Sequence, residues 1–271
     1  MAVEAWLPYA FVTLWSALYV LVALDGGAGY DSHAYWLTRY GFHYGLNPGQ
    51  PGAYLYSPAF AHVLRPLTLL PWHVFAVIWF AGAATAYLWL TRGAATRWRL
   101  VLLALALGDV IYGNVWWLFA LTLSLGLRRP ALWAIPLLLK ITPAVGIVWF
   151  VVRREWRNLG IALAVAGAVV AASVAIDPHA WLDWVAFLRR HDPTPPFEAA
   201  RLAAGLLLTV YAARTDRRQL LPAALWLATP VFSLNGLAVA TAIPCLLPSR
   251  PAYDATPAYR LSPLREVSGL G

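Results

Sequence analysis

Apolar residues run through this chain in long stretches, broken at short intervals by glycine, proline and small groups of arginine. Reading the breaks gives ten apolar segments: 6–24, 72–91, 100–112, 114–127, 130–141, 143–152, 158–176, 198–213, 219–234 and 236–248. A helix needs about 20 apolar residues to cross a bilayer, fewer where it is partly enclosed by protein. The pattern predicts an all-α, polytopic integral membrane protein of about ten transmembrane helices, with residues 1–248 as a single transmembrane domain. Two polar connections are long, 25–71 and 177–197, and both carry aromatic residues at helical spacing, which predicts helices lying in the membrane interface. Pro136 and Pro143 divide "PALWAIPLLLKITPAVGIVWFVVRR" into two short helices meeting at Lys140, Ile141 and Thr142. Non-helical backbone at that depth has to line a cavity or be enclosed by protein. Residues 249–271, rich in proline and polar side chains, read as a disordered cytoplasmic tail.

Composition agrees: 61% of the 271 residues are hydrophobic and only 12% charged, with a mean hydropathy of +0.63, outside the range of an ordinary soluble domain. The net charge of +8 does not point to nucleic acid, because the basic residues sit in small groups between apolar runs, where lipid headgroups and orientation account for them. Cys245 is the single cysteine, so the chain forms no internal disulfide. The run from Trp6 to Leu24 lacks a basic start and is read as a retained span. With the N-terminus inside, fourteen of the twenty basic residues fall on the cytoplasmic side. The same topology gathers all six histidines, and Asp25, Asp31, Asp109, Asp177, Asp183 and Asp192, on or near the extracytoplasmic side.

The candidate chemistry lies there. In "GYDSHAYWLTRYGFHYG", Asp31, Tyr35 and Arg39 recur every four residues, which on a helix makes one face of a base, an aromatic surface and a cation. Asp31 suits proton removal from a hydroxyl, and equally suits the N-cap of that helix. Lys140 is the only lysine, and a charge at membrane depth either pairs with an anion, such as a lipid phosphate, or snorkels to the headgroups. His33 and His43 are acceptor or phosphate contacts or ordinary interfacial histidines. Asp109 and Asn114 cap helices or bind sugar. Tyr54 and Tyr56 stack on a sugar or belong to an aromatic belt. Arg189 and Arg190 meet a carrier phosphate or headgroups. No Asp-x-Asp pair and no phosphate-cradling glycine loop occurs, so neither a metal nor another cofactor is expected.

Three stretches in this order, "YDSHAYWLTRYGFHYGLNP", "YLYSPAFAHVLRPLTLLP" and "IYGNVWWLFALTLSLGLRRPALWAIPLLLKITPAVGIVWFVVRREWR", resemble the GT-C membrane glycosyltransferases, and among them glycosyltransferase family 87, a mannosyltransferase-like group. The resemblance covers roughly residues 1–176. It implies an enzyme moving a sugar, mannose above all, from a polyprenyl-phosphate carrier to a lipid or glycan acceptor outside the cytoplasm. It assigns Asp31 the role of general base and Lys140 a phosphate contact. Where the family carries a Ser-Pro stretch followed by Trp and histidines, this chain reads "TPVFSLNGLAVATAIP", placing Asn235 near that position. Two alternatives stay open: a transporter or flippase for lipid-linked sugar, and a non-catalytic envelope protein that binds polyprenyl phosphate.

Overall fold

The computed structural model describes residues 2–139, 146–190, 196–229 and 233–247. Helix makes up 81% of it, and no strand occurs among the described residues. Helix α1 (Ala2–Val22) ends where Asp25 leaves helical geometry and Gly26 adopts φ +83°. Glycine takes that left-handed turn without the Cβ clash other residues meet. After α2 (Tyr30–Leu37), a tight turn at 38–40 and the 41–57 loop come α3 (Pro58–Thr68), α4 (Trp72–Leu90), α5 (Thr96–Tyr112) and α6 (Trp116–Leu125). Pro58 opens α3, where the missing N–H of proline costs nothing. Then follow α7 (Ala134–Leu139), α8 (Gly146–Val152), α9 (Trp156–Ile176), α10 (Pro178–Arg190), α11 (Pro196–Thr215), α12 (Leu221–Leu227) and α13 (Ile243–Leu246), with 3₁₀ segments at 130–133, 218–220 and 234–242.

Every one of the ten apolar runs therefore carries helix, yet three helical segments among the described residues are long and apolar enough to cross a membrane: the stretch beginning at Trp6, α4 and α9. The shorter runs differ for a geometric reason. At 1.5 Å per residue a ten-residue helix such as α6 rises about 15 Å, half of the roughly 30 Å hydrocarbon core. The 234–242 segment packs against α5, α6 and α12, with Gly236, Ala238, Val239, Thr241 and Ala242 buried, so its less regular backbone is shielded from lipid. Helix α9 packs on α7 and the 130–133 turn, and α11 on α8 and α12. Trp116, Trp133, Trp149, Phe75, Phe119 and Phe150 fill the centre, each almost fully buried. By contrast, Leu14, Leu18 and Leu21 of α1 and Leu163, Val174 and Ile176 of α9 point outward, as a lipid-facing surface requires.

The helices expected in the two long connections are present as α2, α3 and α10. They gather with the α5–α6 turn at one end of the bundle. The α4–α5 turn, the C-terminus of α6, the α8–α9 corner and the C-terminus of α11 lie at the opposite end.

Candidate active site

Two carboxylates organise the first end. Asp109, in the last turns of α5, is fully buried. It accepts hydrogen bonds from the Tyr87 hydroxyl at 2.5 Å and from the backbone N–H groups of Trp116 at 3.1 Å and Trp117 at 3.2 Å. Those amides open α6 and have no partner within their own helix, so Asp109 caps α6 from the preceding helix. The capping alternative is thus the role its contacts perform.

Between the two helices Gly113 adopts φ +69°, and a Cβ there would run into Ser32 of α2. The Gly113 carbonyl accepts the Trp79 indole N–H at 2.8 Å, and the Gly29 N–H donates to the Ile111 carbonyl at 2.7 Å. These contacts seat the first turn of α2 on the α5–α6 turn. Asn114, the next residue, therefore meets Asp31: its Nδ2 donates to Asp31 Oδ2 at 2.7 Å. Its Oδ1 accepts the Val115 N–H at 2.7 Å, which fixes the direction the amide faces. Gly29 occupies the N-cap position of α2 at φ +76°, and no side chain caps it. Asp31, partly buried, sits inside the first turn, where the helix dipole favours a negative charge.

The expected stripe of Asp31, Tyr35 and Arg39 is not one surface. Tyr35 turns into the core, 2% exposed, with its hydroxyl 3.2 Å from that of Tyr56 and its ring against Phe60 and Trp79. Helix α2 ends at Leu37, so Arg39 falls in the following turn. It donates to the Leu70 carbonyl at 3.1 Å and lies over the rings of Trp36 and Tyr40. Tyr56, Tyr54 and Tyr44 are buried too. Burial, then the nearby Asp31 charge, raises the Tyr56 pKa, and burial foremost does the same for Tyr44 and Tyr54. All three therefore remain neutral hydroxyls.

His33 stacks on Trp36 and meets Trp72 edge to face, with ring centroids 5.6 and 4.8 Å away. His43 lies in the 41–57 loop, partly buried, its carbonyl accepting the Leu46 N–H. Arg190, at the end of α10, donates to the Tyr44 carbonyl at 2.9 Å and so ties the second long connection to the first, while Arg189 beside it is exposed. Asn235 is held by the Tyr19 hydroxyl at 2.9 Å and packs on Gly108, next to Asp109. Lys140, Thr142 and Pro143 lie outside the described residues, as does the 249–271 tail.

A cavity of 460 Å³ that no sequence pattern announced lies at this end, lined by Arg39, Tyr40, Phe42, His62, Arg65 and Asp177 among others. His62 Nδ1 is 2.8 Å from the Ser173 hydroxyl, which also takes the Trp181 indole N–H at 3.0 Å. An indole only donates, so the Ser173 oxygen is the acceptor in its contact with Trp181. Burial lowers the His62 pKa and the Arg65 charge assists, against the opposing pull of Asp177. An apolar groove of 310 Å³ lies between α3, α4, α6 and α7, lined by Leu64, Leu67, Ile78 and Trp117. Asp31 lines neither space. Among the described residues no three His, Cys, Asp or Glu side chains cluster as metal ligands do.

A family model described as glycosyltransferase family 87 matches residues 54–261. No curated protein and no solved structure matches the chain. The matched stretch takes in the "YLYSP" segment and continues through α11 and α12, further than the resemblance traced in the sequence. It begins after Asp31.

Proposed function

The chain belongs to glycosyltransferase family 87, and from that premise we propose that it moves a hexose, mannose, from a polyprenyl-phosphate carrier to an extracytoplasmic lipid or glycan acceptor. Family membership makes it a glycosyltransferase with a sugar donor and an acceptor, and its apolar helices mark it as a membrane protein. The rest is our reading. Residues 1–248 form one multi-pass unit in which the short apolar helices complete spans by abutting one another. The Asp31 end faces outward, because most of the arginines belong to the other end.

The observation that carries the site assignment is the hold of the Asn114 amide on the Asp31 carboxylate at 2.7 Å. In this reading the acceptor hydroxyl lies against that carboxylate. Its oxygen bonds to the anomeric carbon as the bond from that carbon to the carrier phosphate breaks. The hydroxyl proton passes to Asp31, and polyprenyl phosphate departs. General base catalysis of this kind contributes about 10²–10⁴-fold, with positioning and cationic stabilisation of the leaving phosphate contributing the remainder. Lys140, Arg189 and Arg190 are the cations we assign to that phosphate. We assign His33, His43 and Arg39 to substrate contacts and Tyr35 and Tyr56 to the buried support of the site, while Asn235, held by Tyr19, packs against Gly108 of α5. No metal takes part.

The test uses the full chain in liposomes, supplied with mannose labelled either on polyprenyl phosphate or on a nucleoside diphosphate, with and without EDTA. Transfer from the lipid-linked donor alone, unaffected by EDTA, is expected. Transfer from the nucleotide sugar contradicts the donor assignment, and loss on chelation contradicts metal independence.

A further inference from the structure

A cavity of 670 Å³ lies at the end opposite Asp31. Three separate connections deliver four guanidinium groups to it: Arg92 after α4, Arg128 after α6, and Arg217 and Arg218 after α11. Asp216 is the single carboxylate in the lining, and it is already engaged by Arg153 at 3.0 Å and Arg218 at 3.3 Å. Among the described residues, no ion pair includes Arg92, Arg128 or Arg217. Arg92 is instead spread on the face of Trp89, 4.3 Å from its centroid, and Arg217 lies over Tyr211. Leu125, Leu127 and Leu246 form an apolar wall beside the charges.

Orientation of a membrane protein needs arginines on this side, but it does not need them to converge on one concave space. Like charges brought together repel, and a shared anion relieves that repulsion. The planar guanidinium fork matches the oxygens of a phosphate in pairs, which a carboxylate satisfies less fully when several arginines converge. We propose that this cavity is a binding site for a phosphate-bearing anion, either the phosphodiester headgroup of an acidic membrane lipid or free phosphate, held by Arg92, Arg128 and Arg217. The apolar wall favours the lipid. The site is independent of the sugar-transfer reading and stands or falls without it.

Titration calorimetry on the full chain in neutral detergent tests this, with short-chain phosphatidylglycerol, inorganic phosphate and octanoate as probes. Charged hydrogen bonds contribute enough that the Arg92→Gln/Arg128→Gln pair is expected to weaken phosphatidylglycerol binding about tenfold or more. Arg157→Gln, on the exposed start of α9 and outside the cavity, is expected to leave it unchanged. Saturation by inorganic phosphate but not by phosphatidylglycerol keeps the phosphate site and assigns its source to the free ion. Octanoate binding as tightly as phosphatidylglycerol, equal losses in Arg157→Gln and the cavity pair, or no saturation by either phosphate probe overturns the proposal. Arg217→Gln serves if the double variant fails to fold: the same weakening supports the site, and wild-type affinity overturns it.

Discussion

Around Asp31 the polar groups are mostly neutral donors locked onto carbonyls in the interior: Tyr44 onto Tyr56, Tyr54 onto Ser57, and Trp36 onto Leu70. At the opposite end the contacts are ion pairs between partly exposed side chains, Arg153 with Glu155 and Asp216, and Arg218 with Asp216. The difference separates positioning from attraction. Buried hydrogen bonds with no solvent to replace them fix geometry, because leaving a donor stranded is expensive. Exposed ion pairs hold little energy and leave charge free to meet anions. One end is built to hold a carboxylate still, and the other presents guanidinium groups to a ligand.

Breaking the first end should have the larger effects on stability. Asp109→Ala strands the Tyr87 hydroxyl and two backbone amides of α6, so a loss of about 3–5 kcal/mol is expected from buried partners left unpaired. Reversible unfolding in detergent measures it, and a loss below about 1 kcal/mol would mean the cap is replaced by other groups. Gly113→Ala places a Cβ against Ser32 at positive φ, and strain with overpacking predicts a loss of about 2–4 kcal/mol. The same variant should slow sugar transfer, since the turn that carries Asn114 to Asp31 moves.

His62 gives a pH test. Its folded pKa lies below the ordinary value of 6.5, so the unfolded chain binds the proton more readily. The stability of the neutral ring is fully present above the unfolded value and is lost as pH falls through the folded one. His62→Gln should flatten the decline of Tm on acidification from about pH 7.5 to pH 5, whereas a decline as steep as wild type would place the sensitive group elsewhere. The smallest effect belongs to the opposite end. Arg153→Ala removes two partly exposed ion pairs and should cost no more than about 1 kcal/mol, diminishing with salt. An effect as large as that of Asp109→Ala would erase the contrast between the ends.

The helices were legible in the sequence because apolar runs and their glycine and proline breaks are local signals. Helix lengths were less so: nothing in "LNGLAVATA" separates a 3₁₀ segment at the centre of the bundle from a spanning helix, since enclosure by α5 and α6 decides it. Asp109 and Asn114 were visible as a pair of polar residues at a turn. Their division of labour was not, because Asn114 reaches across 83 positions to Asp31. The i, i+4 spacing of Tyr35 and Arg39 misled because α2 stops at Leu37. His62 and Ser173 are 111 positions apart, a pairing only the packing of α3 on α9 creates.

The most direct test of the central claim compares wild type, Asp31→Asn and Asn114→Ala at equal expression, following labelled mannose from polyprenyl-phosphate mannose into membrane lipid and glycan. Asp31→Asn keeps the size of the side chain and removes the base, so transfer should fall by about 10²-fold or more with folding intact. Asn114→Ala should lower the rate less, leaving the base in place without its anchor. Transfer by Asp31→Asn at the wild-type rate would contradict the account and leave Asp31 a residue of the first turn of α2 and nothing more.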